Sequence, residues 1–66
     1  MIDVAEVVKL CRKHSGMSIV ALSAESSVSA STIKEIENGS RDCRIRTFEK
    51  LLEAMGYELE VLRNDE

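Results

Sequence analysis

Hydrophobic residues recur at helical spacing in four stretches of this 66-residue chain, each bounded by a capping residue or a glycine. In the first, Asp3 is placed to cap a helix and Glu6, three residues on, completes a capping box. Val4, Val7, Val8 and Cys11 then follow at i, i+3, i+4, i+7, and Gly16 ends the stretch. Ser18 caps a second, short helix whose inward residues are Leu22 with Ile19, Val20 or both, and which runs out at Ser26 and Ser27. Val28 precedes Ser29, the cap of a third helix. There Ile33 and Ile36 share one side, while Ala30, Ser31, Lys34, Glu35 and Asn38 point largely elsewhere, and Gly39 supplies the stop. The clearest period belongs to Phe48, Leu51, Leu52 and Met55, in a helix expected to open near Thr47 and close at Gly56.

After that helix the period changes from helical to two. Tyr57, Leu59 and Val61 alternate with Glu58 and Glu60, which reads as one strand. The expected class is therefore all-α, four to five short helices plus a short C-terminal β-strand. Residues 1–56 form the domain and 57–66 a strand with an acidic tail. A lone strand leaves its backbone groups unpaired, and pairing with the same strand of a second copy is the simplest remedy. Tyr57, Leu59 and Val61 are then dimerisation residues. The alternative is a tail packed on the helices, with accidental alternation.

Chain length sharpens the need for a partner, because a domain this small buries only about 60% of its unfolded surface. Cys11 and Cys43 do not supply a staple: they stand alone, without the Cys or His spacing of a zinc site, so no metal and no cofactor is expected. Unpaired cysteines fit a reducing, cytoplasmic compartment. No apolar run approaches the roughly 18 residues of a membrane span. Asp3 and Glu6 stand where a signal peptide would carry positive charge. A catalytic role is also excluded from the reading. His14 is the one histidine, placed at the end of the first helix, and no nucleophile, acid pair or phosphate loop accompanies it.

The formal net charge of -3 runs against a nucleic-acid partner until its distribution is considered. Residues 9–50 hold eight of the nine basic residues (Lys9, Arg12, Lys13, Lys34, Arg41, Arg44, Arg46, Lys50) against five acids (Glu25, Glu35, Glu37, Asp42, Glu49). The acid is gathered at the two ends. Either one face is weakly basic and the remainder acidic, or these are ordinary solvated charges.

The segment from Ser18 to Gly39, SIVALSAESSVSASTIKEIENG, resembles the helix-turn-helix of the lambda-repressor and Cro (XRE) family, whose usual pattern is SQxxLAxxxGVSxxTIxxIENG. The likeness is strongest over VSASTIKEIENG. It extends to Leu10, Arg12 and Gly16 before the motif and to TFEKLLEAMG, Thr47 to Gly56, after it. The resemblance implies double-stranded DNA as partner, with the first motif helix across the backbone and the second (about residues 29–38) in the major groove. By the same resemblance Ala30, Ser31, Lys34 and Glu35 face the groove, and Ser18, Ser29 and Thr32 lie near phosphates. Asn38, Arg41 and Arg44 then approach the backbone after the recognition helix. Helix N-termini add an anion preference at Ser18 and Ser29. Glu35 has no basic residue four positions on, at Gly39, and is therefore assigned to selectivity with Ser31, and Lys34 to affinity. Arg12 and Glu37 occupy the positions of an ion pair between the first and third helices.

Three departures from the family pattern stand out. Ile19 replaces a glutamine that contacts phosphate, Ser27 replaces the glycine of the turn, and Cys43 replaces a proline, leaving Cys11 as a small core residue and Cys43 as a loop thiol. Three functions fit. The first is a repressor acting as a homodimer on a palindromic operator. The second is an antitoxin of the HipB kind, similar in its C-terminal strand, which binds a protein toxin and represses its own operon. The third is a protein-interaction module that keeps the fold without DNA affinity.

Overall fold

A computed structural model describes residues 3–58. The described residues form four helices, α1 (Val4–Ser15), α2 (Ile19–Ser26), α3 (Ala30–Asn38) and α4 (Ile45–Ala54), and contain no strand. The fold is the all-α helix-turn-helix arrangement that the sequence pattern implies. Of the C-terminal strand, Tyr57 and Glu58 are exposed and belong to no regular element, while Leu59 and Val61 lie outside the described residues.

Three helices begin on the expected capping side chains. Asp3 accepts from the Ala5 amide at 3.1 Å, Ser18 from Ala21 at 3.0 Å and Ser29 from Thr32 at 3.2 Å. Each side-chain oxygen satisfies one of the amides that a helix start leaves without an internal partner. The fourth helix departs from expectation. It opens at Ile45, with Arg44 as an extended cap residue making no side-chain cap bond, and the Phe48 amide donates to the Arg44 carbonyl at 2.9 Å. Thr47 therefore sits inside the first turn. A hydroxyl cap is worth only about 1 kcal/mol, and burial of the Phe48, Leu51, Leu52 and Met55 stripe outweighs it.

Leu51, Leu52 and Met55 meet the inward residues of the other helices in one core with Val8, Leu22, Val28, Ile33 and Ile36, and Phe48 packs against it. Helix α3 packs against both α1 and α2, and α4 closes the base against the same two helices. Cys11 and Cys43 both pack on this core, so Cys43 is more than a loop thiol: it anchors the α3–α4 connection. Of Ile19 and Val20 in α2, only Ile19 joins Leu22 on the inward side. Val20 is 73% exposed, because Leu22 and Ile19 already fill the side of the short helix that faces α3 and α4.

The turn of the motif is held by two adjacent serines. Ser26 is buried and its hydroxyl accepts from the Val28 amide at 3.2 Å. Ser27 takes the left-handed conformation at φ 64°, closing α2 through its amide on the Ser23 carbonyl. A side chain costs roughly 1–2 kcal/mol in that conformation, which is the physical content of serine standing where the family pattern has glycine.

Candidate nucleic-acid interface

The recognition surface follows from the helical period of α3. At roughly 100° per residue, Ile33, Ile36 and Glu37 fall on one side and are buried, and Ser31, Lys34, Glu35 and Asn38 fall on the opposite side. Ser31, Lys34 and Asn38 are exposed and Glu35 is half-buried. Ala30 and Thr32 lie at the two edges and are half-buried, so the outward face is centred on Lys34 and Glu35, with Ala30 at its margin.

At the start of α3 the serine hydroxyls are occupied locally. Ser29 Oγ donates to Thr32 Oγ1 at 2.8 Å while accepting the Thr32 amide, and it lies 3.5 Å from Ser31 Oγ. What this end offers an anion is the helix terminus itself, with the first amides pointing outward, more than a free hydroxyl. Ser18 caps α2 in the same way, so both motif helices begin with an ordered, exposed N-terminus.

The rear of α3 is fixed by Arg12 and Glu37. Arg12 Nε donates to Glu37 Oε2 at 2.8 Å and Nη2 donates to Oε1 at 3.1 Å, a two-pronged contact between α1 and α3. A third donor, Nη1, reaches the Met17 carbonyl at 3.1 Å just beyond α1. Glu37 side chain is 6% exposed and that of Arg12 17%. The hydrogen bonds it donates to Glu37 raise the Arg12 guanidinium above its ordinary value, against the lowering effect of burial, so its charge is locked on. The recognition helix is thereby tied to α1 by a charged contact as well as by Ile33 and Ile36.

Beyond α3 the chain reverses sharply. Gly39 adopts φ 79° and donates to the Ile36 carbonyl at 3.1 Å, and both the amide and the hydroxyl of Ser40 donate to the Glu35 carbonyl, at 3.0 and 3.2 Å. This six-residue closure carries Arg41 back over the outward face of α3, where its Nε stands 2.9 Å from Glu35 Oε1. The expectation that Glu35 lacks a basic partner is thus corrected. Counting four residues along the helix finds Gly39, whereas the turn after Gly39 delivers the arginine from outside the helix. Arg41 also lines two neighbouring grooves together with Asp42, one bordered by Val4 and Ala5 of α1, the other by Arg44 and Thr47 at α4. Arg44 and Asn38 are exposed. Burial pushes the Cys43 thiol above its ordinary range, so the group beside these arginines stays protonated, with Sγ donating to the Arg44 carbonyl at 3.6 Å.

Among the described residues no cluster of metal-ligating side chains occurs and no helix is long and apolar enough to cross a membrane. No curated protein and no solved structure matches the chain. A family model described as helix-turn-helix matches residues 8–62, which takes in α2, α3, α4 and most of α1. With α2 and α3 joined by the Ser26–Ser27 turn and the polar side of α3 turned outward, the chain belongs to the Cro/C1-type helix-turn-helix family of DNA-binding transcriptional regulators.

Proposed function

We propose that the protein is a repressor that binds a palindromic operator as a homodimer, with α3 of each copy in the major groove. The observation that carries this reading is the outward face of α3, where Ser31, Lys34 and Asn38 are free of the core and Arg41 and Arg44 flank them in the following loop. Lys34 is the affinity residue, a flexible cation able to reach guanine or a phosphate. Ser31 supplies a hydrogen bond to a base edge, and Ser18, Ser29 and Thr32 border the two helix starts that approach phosphates. A cytoplasmic location is part of the same proposal.

A single copy offers few base-reading groups, and two copies are needed for useful selectivity. Two-fold symmetry would set the recognition helices one helical turn apart, about 34 Å, with residues from Tyr57 onward as the joining element. The test is selection of bound duplexes from a random pool, followed by affinity measurement across a salt series. The expected product is an inverted repeat whose binding weakens linearly in log–log form as salt rises. A selected pool without symmetry would remove the dimeric operator, and affinity indifferent to salt would remove DNA binding altogether.

A further inference from the structure

We propose that Glu35 governs sequence discrimination by restraining Arg41, holding its guanidinium on the protein unless the facing base can take over the carboxylate. This inference rests on the DNA-binding reading of α3. Its starting point is that Glu35 holds the following loop twice: its carbonyl receives the amide and hydroxyl of Ser40, and its carboxylate receives Arg41 at 2.9 Å. The backbone contacts aim the arginine and the side chain captures it. Both partners are about half exposed, 53% for Arg41 and 46% for Glu35, so the pair is screened by solvent and readily exchanged for another anion.

Lys34 is the sole basic residue within α3. While Arg41 is held by Glu35, the two charges cancel and Lys34 is the only cation that the helix itself presents. Moving Arg41 to a phosphate adds a charge-assisted contact. It also leaves the Glu35 carboxylate uncompensated beside the DNA, which is unfavourable unless a donor meets it. In the major groove the cytosine amino group is the donor suited to a carboxylate. Exchange is therefore favoured where cytosine faces Glu35. On other sequences the pair stays closed and non-specific binding lacks one phosphate contact. Selectivity here comes from withholding affinity from wrong sites as much as from adding it at the right one.

The test uses the full chain and a random-sequence duplex of about two helical turns, with Kd measured against salt for the wild type, Glu35→Gln, Arg41→Gln and the double variant. Release of Arg41 in Glu35→Gln should tighten binding about eightfold at 0.1 M salt and steepen the salt slope by about 0.9, the increment of one further phosphate contact. In the Arg41→Gln background the Glu35→Gln change should leave the slope unaltered. Glu35→Asp keeps the charge but falls short of Arg41, and should steepen the slope as well. Salt-dependent wild-type binding with no change in Glu35→Gln overturns the inference and leaves the DNA reading standing. A steeper slope that persists in the Arg41→Gln background also overturns it, since the added phosphate contact would then not be made by Arg41. Wild-type binding indifferent to salt would instead overturn the DNA reading on which it rests.

Discussion

Replacing Glu37 by Gln tests the contact that ties α3 to α1. The substitution keeps the shape of the side chain and one carbonyl acceptor, but removes the charge that two Arg12 donors meet at 2.8 and 3.1 Å. Breaking one partner of a buried pair costs roughly 3–5 kcal/mol. Three features place this site at or below the lower end: Arg12 retains 17% exposure, the glutamine still accepts one bond, and the Met17 carbonyl still takes a third donor. A loss of about 2–3 kcal/mol is expected on that scale. For a domain of this length the corresponding fall in Tm is roughly 8–24 °C, taking 4–8 °C per kcal/mol. Such a loss is a large share of the roughly 3–10 kcal/mol that a 66-residue chain has to lose.

The assay is thermal unfolding followed by far-ultraviolet circular dichroism, with urea unfolding as the second measure. Two companions separate charge from geometry. Arg12→Lys keeps the charge but cannot form both bonds to Glu37 and reach Met17, so it should also destabilise. Replacing both partners, Arg12→Met with Glu37→Leu, removes the uncompensated charge and should recover most of the loss, because apolar substitutes for a buried pair are often neutral or better. A Glu37→Gln protein melting within a degree or two of the wild type would show that the contact between α1 and α3 rests on Val8, Ile33 and Ile36 alone.

Ser27→Gly relieves the left-handed residue at φ 64°; allowing for the extra chain entropy of glycine, stability should rise by about 0.5–1 kcal/mol, read as a Tm higher by several degrees, and a lower Tm would refute the strain argument. Lys34→Ala should weaken binding evenly across duplex sequences and lower the salt slope by about 1, whereas loss confined to one sequence would make Lys34 a base reader. Burial raises the Cys43 thiol above its ordinary value near 9, so its stabilising contribution is complete below that value and is lost as pH rises through the higher folded one. Urea unfolding at neutral and alkaline pH should therefore show an alkaline loss of stability that Cys43→Ala lacks; equal losses in both proteins would refute it.

The sequence made the helical scaffold legible because the information is local. Asp3, Ser18 and Ser29 cap the helices they precede, and the spacing of Ile33 with Ile36 and of Leu51 with Leu52 already marks the inward faces. The start of α4 was not legible, since Thr47 is the better capping residue and only the packing of Phe48 against the core shows why the helix begins at Ile45. Val20 likewise could not be assigned from a two-turn helix, in which either neighbour of Ser18 and Leu22 satisfies the period. The Glu35–Arg41 contact was hidden for a different reason. It spans a turn, and helix spacing rules apply only as far as the helix extends. The signal was Gly39 itself: a left-handed residue closing a helix sends the next residues back along the last turn, within reach of Glu35.

That turn also resolves how a chain of net charge -3 can present a surface to DNA. Two of the five acids in residues 9–50 are spent inside the fold, Glu37 on Arg12 behind α3 and Glu35 on Arg41 in front of it. The first of these pairs is sheltered and fixes the helix; the second is exposed and exchangeable. An acid fixed behind the helix contributes no variable charge to the reading surface, whereas an acid in front sets how much of the loop's positive charge is available. The field that a phosphate meets at α3 therefore depends on whether one contact is open or closed more than on net charge. If so, Glu35→Gln, a change of one unit in the total, should alter the salt slope more than neutralising Glu25, whose place near the end of α2 is remote in sequence from that loop. Equal effects from the two substitutions would mean that total charge governs binding after all, and that the pairing at Arg41 is incidental to it.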